Sequence, residues 1–467
     1  MSTTNDVISF QSTGDPFVDA GGMALHYLQN VYSEKRLSDL IQLAAEIYVN
    51  NWNAKLHSIF HGSKITHDSI KGNDKITQTV NLYSKIINRS NYLQKGNCRI
   101  CGHEDALYPA GRDQYCLSGS KPFANFHHLH EDGLLVCPSC SIKLFFLPLT
   151  LVQMGSMLAL LHPTSQTSQD YWIDKTVKVN LDHVGRNTAS GILKHKFSNP
   201  RNALFDIARE IIIRSDEQQD EHLQLYHFTN FAASPDCSIY HLPSRIFRFL
   251  ARVYKGNLKQ QWYQFVRRHF HISKSQWDIQ TASWTDTKAN PLKEDDFRNN
   301  QNDVYEALLA EKSILPMLRK YAKSCFVNSI KFDSLIASHY AKEVLRMEKK
   351  QIQLIQQIAD KILELGMKTD SIKKYLVSIE KAGKAHQLRA VLLKVIKDNF
   401  KTGGKEPLVT LEDYVNYLFP DGQYWGEIRD LLLIYLYEKM HDNNLASELA
   451  KDEDIQETEP VLTTDEY

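Results

Sequence analysis

Between residues 37 and 48, apolar side chains fall at Leu37, Leu40, Ile41, Ala44, Ile47 and Tyr48. Steps of three and four put them on one stripe of an α-helix, so the spacing predicts an amphipathic helix there. Beyond residue 300 the same period dominates: Ile355, Ile358, Ile362 and Leu365; Ile372, Tyr375, Leu376 and Ile379; Leu388, Val391, Leu392, Val395 and Ile396. These are the short helices of a bundle, punctuated by Gly366, Gly383 and the Gly403-Gly404 pair. Thr410 and Asp413 resemble a capping box with Asp in place of Glu. A final helix is predicted over residues 428–441, with Ile428, Leu431, Leu432, Tyr435 and Leu436 facing inward. Residues 95–142 break the period with Cys, Gly, Pro and His, and residues 164–198, polar and partly β-branched, are expected to form strands and loops. Residues 144–161 carry no charge over the length of a membrane span. Pro148, Thr150, Gln153, Gly155 and Ser156 interrupt them, so buried strands are expected and no membrane partner.

The 467 residues suggest about three domains, and 42% hydrophobic with 10% aromatic residues supplies packed cores, which excludes wholesale disorder. Residues 1–9 lack a positive segment before an apolar core, so no targeting signal is expected. The seven cysteines are too sparse for a secreted disulfide scaffold and fit a reducing, cytoplasmic setting. Four of them form the strongest local signal: Cys98-Arg-Ile-Cys101 and Cys137-Pro-Ser-Cys140, two CxxC turns separated by 35 residues. Two such turns supply four thiolates for a closed, structural Zn2+ site; reduced thiols or disulfides are the alternative. His103, Cys116, His127, His128 and His130 stand near enough in sequence to replace one ligand. The histidine pair between CxxC turns also suggests a zinc-braced HNH-like nuclease with His127-His128 as base. Only eight residues separate His128 from Cys137, tight for that motif, and Ser141 stands where such enzymes place His or Asn.

Fifty-five Lys and Arg balance fifty-five Asp and Glu, but the charges are segregated. Residues 237–277 hold eight basic and no acidic side chains. Arg245, Arg248, Arg252, Lys255 and Lys259 recur at three and four along one expected helical face, followed by Arg267 and Arg268. Five like charges repel one another, and a polyanion opposite them relieves this, so the stripe is expected to bind nucleic-acid backbone. Trp262, Phe265 and Phe270, at helical spacing, are expected to pack in a core rather than stack on bases. Residues 317–405 hold nineteen basic against eight acidic side chains, whereas residues 447–467 hold eight acids and one Lys and read as a disordered tail.

The run Thr13-Gly-Asp-Pro-Phe-Val-Asp-Ala-Gly21 suggests a turn, with Asp19 as N-cap of a helix starting near Ala20. Together with the two CxxC pairs and the late Leu418-Phe-Pro-Asp-Gly422 and Trp425-Gly-Glu-Ile-Arg-Asp-Leu-Leu-Leu-Ile-Tyr435 segments, it resembles the CxxC–CxxC family of CRISPR-associated proteins. These are large subunits of the type I-B Cascade complex. The resemblance implies a non-enzymatic subunit that recognises the protospacer-adjacent motif, stabilises opened target DNA and recruits a helicase-nuclease or, alternatively, transposition factors. The implied partners are the CRISPR RNA 5′ handle, target double-stranded DNA, and the Cascade backbone and small subunits. It further implies an internal start yielding a separate small subunit, for which Met347 gives the best size. The expected fold is α+β and mostly helical. An N-terminal α/β body (1–330) carries an inserted zinc-binding module (96–142) and a basic helical segment (237–277). A C-terminal helical bundle resembling a small Cascade subunit (331–445) and an acidic tail (446–467) complete it. A zinc-ribbon nucleic-acid-binding scaffold outside CRISPR systems is the competing class.

Overall fold

The computed structural model describes residues 8, 11–52, 55–117, 133–214, 220–229, 236–405, 407–419 and 424–445. The expected acidic tail lies outside them. The protein is mostly helical, with some sheet. It divides into two compact units: residues 1–211 with 221–243, and residues 212–220 with 244–467. Among the described residues no helix is long and apolar enough to cross a membrane.

The first unit opens with helix α1 (Pro16–Val31). Its N-cap is Asp15, whose carboxylate accepts the Phe17 and Val18 N–H groups at 2.9 Å, while Pro16 takes the first helical position, where its missing N–H and fixed φ cost nothing. The helix therefore starts ahead of the expected Asp19. That residue is buried in the first turn and turns back onto the entering chain: it accepts Ser12 Oγ, Thr13 N and Thr13 Oγ1, each at 2.7 Å, and Gly14 N at 3.2 Å. Helix α2 (Leu37–Glu46) follows the predicted stripe and runs into a π-helical turn (Ile47–Asn51), and α3 (Asn73–Ile87) packs on α2.

Strands β1 (Gln94–Asn97), β2 (Glu104–Ala110) and β3 (Leu134–Val136) form an antiparallel sheet in that order, with Gln94 opposite Leu107 and Tyr108 opposite Val136. Helix α4 (Pro138–Phe146) leads through a 3-10 turn (Leu147–Thr150) into β4 (Val152–Met154) and β5 (Met157–Pro163). The uncharged stretch is thus helical first and forms two strands only from Val152 onward.

Residues 164–198 depart from the strand expectation. They fold as α5 (Gln166–Ile173), a π-helical turn (Asp174–Lys178) and α6 (Val179–Gly185), and only β6 (Leu193–Lys194) is a strand. The helical face was disguised because three of its buried positions are polar: Ser168, Thr176 and Asn180. Each is satisfied internally; Thr176 donates to the Trp172 carbonyl at 2.6 Å and Asn180 to that of Leu149 at 3.2 Å. Helix α7 (Pro200–Arg214), β7 (Leu223–Thr229) and β8 (Asp236–Leu242) complete a five-stranded sheet of order β6-β4-β5-β7-β8, in which only the β4–β6 pair is parallel.

The second unit begins with α8 (Ser244–Lys255) and α9 (Lys259–Arg268), followed by the hairpin β9 (Ser275–Asp278) and β10 (Ser283–Asp286) and two short helices, α10 (Glu294–Phe297) and α11 (Asp303–Leu309). Then come α12 (Leu315–Val327), α13 (Leu335–Glu343), α14 (Lys349–Lys368), α15 (Ile372–Glu380), α16 (Ala385–Lys401), α17 (Leu411–Asp413) and α18 (Trp425–Asp442). The last segment of the first unit ends at Pro243, and the second unit resumes at Ser244. The basic helices belong with the bundle because α8 packs on α13, with Phe249 edge-on to Tyr340 at 5.4 Å and to Trp262 of α9 at 5.3 Å.

Helix α18 is the axis of this unit. One inward face was expected, but Leu433, Ile434 and Tyr437 are buried as well, since α12, α14, α15 and α16 pack around it. Its buried Asp430 is met by Arg319 of α12 at 3.1 Å and Arg429 at 2.9 Å, an arrangement that penalises any other rotation of α18.

In the first unit, α1 and α4 touch backbone to backbone. A Cβ on Gly21 would lie 2.0 Å from the Lys143 carbonyl oxygen, far inside van der Waals contact. Gly21→Ala is therefore expected to cost at least about 2 kcal/mol and to lower the melting temperature by several degrees. An unchanged thermal unfolding curve would refute this close approach.

Candidate metal centre

The four cysteines meet through two different local structures. Cys98 and Cys101 sit in a tight turn after β1. Cys98 N donates to the His103 carbonyl at 2.8 Å, Gly102 N donates to the Cys98 carbonyl at 2.9 Å, and Gly102 takes φ +75°, a conformation glycine adopts without penalty. Arg99 N donates to the Leu135 carbonyl at 3.0 Å, tying this turn to β3. Cys137 and Cys140 occupy the first turn of α4: Cys137 is its N-cap, Pro138 its first residue, and Ser141 N closes onto the Cys137 carbonyl at 3.0 Å. A helix N-terminus favours negative charge, so these two thiols stand where thiolates are stabilised.

All four Sγ atoms lie within 4.8 Å of one another, with Cys101 and Cys137 3.6 Å apart. Tetrahedral coordination with metal–sulfur bonds of about 2.3 Å requires sulfur–sulfur edges of about 3.8 Å, so the cluster has the dimensions of a four-thiolate metal site. None of the four is in a disulfide. Cys98, Cys137 and Cys140 are buried and Cys101 is partly exposed. Cys137 N also donates to Cys98 Sγ at 3.3 Å, as backbone amides do in such turns. Hydrogen bonds from the Cys137 and Cys140 thiols hold the Cys98 thiol far below its ordinary pKa, whereas its bonds to Cys137 and Cys98 push Cys140 far above. Four crowded thiols cannot all ionise without a cation among them, which makes the cluster a trap for a soft divalent ion.

The alternative ligands fall away or fall outside view. Cys116 is fully buried and not part of the cluster, and His103 offers only its carbonyl while its side chain is exposed. His127, His128 and His130, and with them the HNH-like constellation, lie outside the described residues.

The basic stripe differs from its expectation. Helix α8 ends at Lys255, and Lys259 begins α9 beyond a bend at Gly256, so the five residues do not share one helix. The charges are also answered from within the second unit: Arg245 pairs with Glu311 at 2.6 Å, Arg248 with Asp220 at 2.5 Å, and Arg248 and Arg252 with Glu343 at 3.5 and 3.6 Å. These acids come from distant positions in the chain, invisible to a local count. Arg267 lies over the Phe297 ring at 5.2 Å and donates to the Leu292 carbonyl, and Arg268 lies over Tyr321 at 5.6 Å, its pKa lowered by burial. Both brace the fold. Trp262 and Phe265 are core residues, as their spacing implied, and Phe270 packs on Phe297 at 5.1 Å. Lys255 and Lys259 are exposed.

A different row of cations was not singled out in the sequence. On α16, Lys394, Lys397 and Lys401 follow at three and four and share one face. Lys397 is exposed and has no ion-pair partner among the described residues, and Lys401 meets only Asp398, at 3.7 Å. The dominance of lysine over acid in residues 317–405 was the available signal.

No family model, curated protein or solved structure matches this chain. The centre therefore stands on its geometry: a mostly helical α+β protein with a largely buried four-cysteine cluster able to hold a metal ion.

Protein purified under reducing conditions is expected to carry one metal ion per chain by elemental analysis, lost in Cys137→Ser together with several degrees of melting temperature. A metal-free chain, or a variant that melts with wild type, contradicts the assignment.

Proposed function

We propose that this chain is the non-catalytic large subunit of a type I-B CRISPR RNA-guided DNA surveillance complex, with a structural zinc ion held by Cys98, Cys101, Cys137 and Cys140. The observation that carries the reading is the packing of the helix that bears the first motif on the helix that bears the second CxxC turn. More than a hundred residues separate them, yet Gly21 of α1 rests on α4, whose first turn bears Cys137 and Cys140. The third element of the resemblance, Trp425 to Tyr435, lies in the helix around which the second unit is built. The pieces of the resemblance thus fall on framework positions. In this reading guide pairing reads the target sequence, and the protein supplies backbone contacts and inspects the protospacer-adjacent motif.

The lysine face of α16 suits phosphate contact better than Arg245, Arg248 and Arg252. Charge reversal at Arg248 and Arg252 would set Glu against Glu343, whose side chain is only 11% exposed, and would test folding before it tested DNA binding. An internal start at Met347 removes α12, and with it Arg319 beside Asp430. A start at Met317 keeps that pair and yields 151 residues, so it fits the packing better as the origin of a small subunit.

Purification of the tagged chain from its host should bring down a repeat-derived RNA and backbone subunits. In that complex, K394E/K397E/K401E should weaken target-DNA binding by about tenfold or more at physiological salt and lower the salt slope by about one per lysine. Absence of RNA, or DNA cleavage by the chain alone with a divalent metal, would overturn the reading.

A further inference from the structure

One face of the five-stranded sheet in the first unit gathers three histidines from neighbouring strands. His162 of β5 stands opposite Gln224 of β7, and Gln224 stands opposite His241 of β8, so both histidines share its face. His222 precedes Gln224 by two residues and belongs to the same face, diagonally between the other two. His222 Nδ1 and His241 Nε2 approach to 3.3 Å, with ring centroids 4.0 Å apart. That separation is long for a hydrogen bond, but it matches the nitrogen–nitrogen edge of about 3.3–3.4 Å that two metal–nitrogen bonds of about 2.0–2.1 Å subtend in a tetrahedral site. His162 lies on the other side, its ring edge-on to Tyr226 at 6.5 Å. Burial first, then the neighbouring His241 and His162, lower the His222 pKa against the pull of Glu221, so the ring is neutral near pH 7 and has a lone pair to offer. The backbone beneath is held in place. Glu221, fully buried, accepts Thr164 N at 3.0 Å, Ser165 N at 3.2 Å and His222 N at 3.1 Å, which ties the end of β5 to the start of β7. His162 and His222 are half-buried and His241 is exposed on the edge strand, so the cluster opens to solvent on one side.

We propose that His162, His222 and His241 form a second metal site, for a divalent transition ion such as Zn2+ or Ni2+. Neutral imidazole is the ligand this class of ion prefers among nitrogen donors. The ion replaces the proton between His222 Nδ1 and His241 Nε2, and the ring that donated carries its proton on its other nitrogen instead, so none has to leave. His241 swings outward and His162 inward about their side-chain bonds to complete the set. Three protein ligands leave one coordination position facing solvent, the arrangement of an open site. The bound ion clamps β5, β7 and β8 together. This site shares no residue with the cysteine cluster and stands independently of the CRISPR reading.

Calorimetric titration of the untagged full chain with Ni2+, after one equivalent of Zn2+ has filled the cysteine cluster, tests it. One further equivalent should bind with Kd below about 100 µM. H222A/H241A should abolish this event, and H162A should weaken it by about tenfold. A readout that needs no substitution is proton NMR of the wild-type chain, in which substoichiometric, paramagnetic Ni2+ should broaden three of the nineteen histidine ring signals first. No binding up to about 1 mM Ni2+, or affinity unchanged in H222A/H241A or in H162A, overturns the proposal.

Discussion

The contact of Gly21 with the Lys143 carbonyl is the constraint on which the first unit turns. It allows α1 to lie directly on α4, and α4 in turn presents Cys137 and Cys140 from its first turn and buries Leu144, Phe145 and Phe146 in the core. Both ends of this contact are pinned by polar groups. Asp15 caps α1 and accepts Tyr115 Oη at 2.6 Å, Asp19 gathers the entering chain, and Lys143 Nζ reaches the Gln11 carbonyl at 3.1 Å. A metal ion in the cysteine cluster would join β1, β3 and α4 at the far end of the same helix pair, so metal binding and helix docking support one another.

The second unit is organised by charge placed where it cannot be traded away. Asp430 sits inside the bundle with Arg319 and Arg429, and Glu380 accepts from Lys323 at 3.1 Å and from Tyr437. Arg248 and Arg252 converge on Glu343. These pairs spend the basic residues nearest the core on architecture and leave outer lysines such as Lys397 exposed to solvent. A neutral overall charge therefore conceals a division between cations that hold the fold and cations that face solvent.

Much of this was legible in the chain. The helices over residues 37–48 and beyond 300 follow from their three-four spacing, and the cysteine quartet follows from two CxxC turns, because both depend on local geometry. Residues 164–198 were misread because polar Ser168, Thr176 and Asn180 occupy buried helical positions and find partners the sequence does not reveal. The counter-charges of the arginine stripe, Asp220, Glu311 and Glu343, were not legible for the converse reason: they are remote in sequence, and an ion pair between distant segments leaves no local mark. Asp19 shows the same limit on a small scale, since either Asp15 or Asp19 suits an N-cap and only Pro16 decides between them.

Hydrogen–deuterium exchange of the full chain, before and after removal of the metal by a chelator, tests the central claim most directly. If cluster and helix docking form one unit, amides of residues 17–28 in α1 should lose protection together with those of residues 140–146 in α4. Loss confined to the two CxxC turns, with α1 as protected as before, would contradict it.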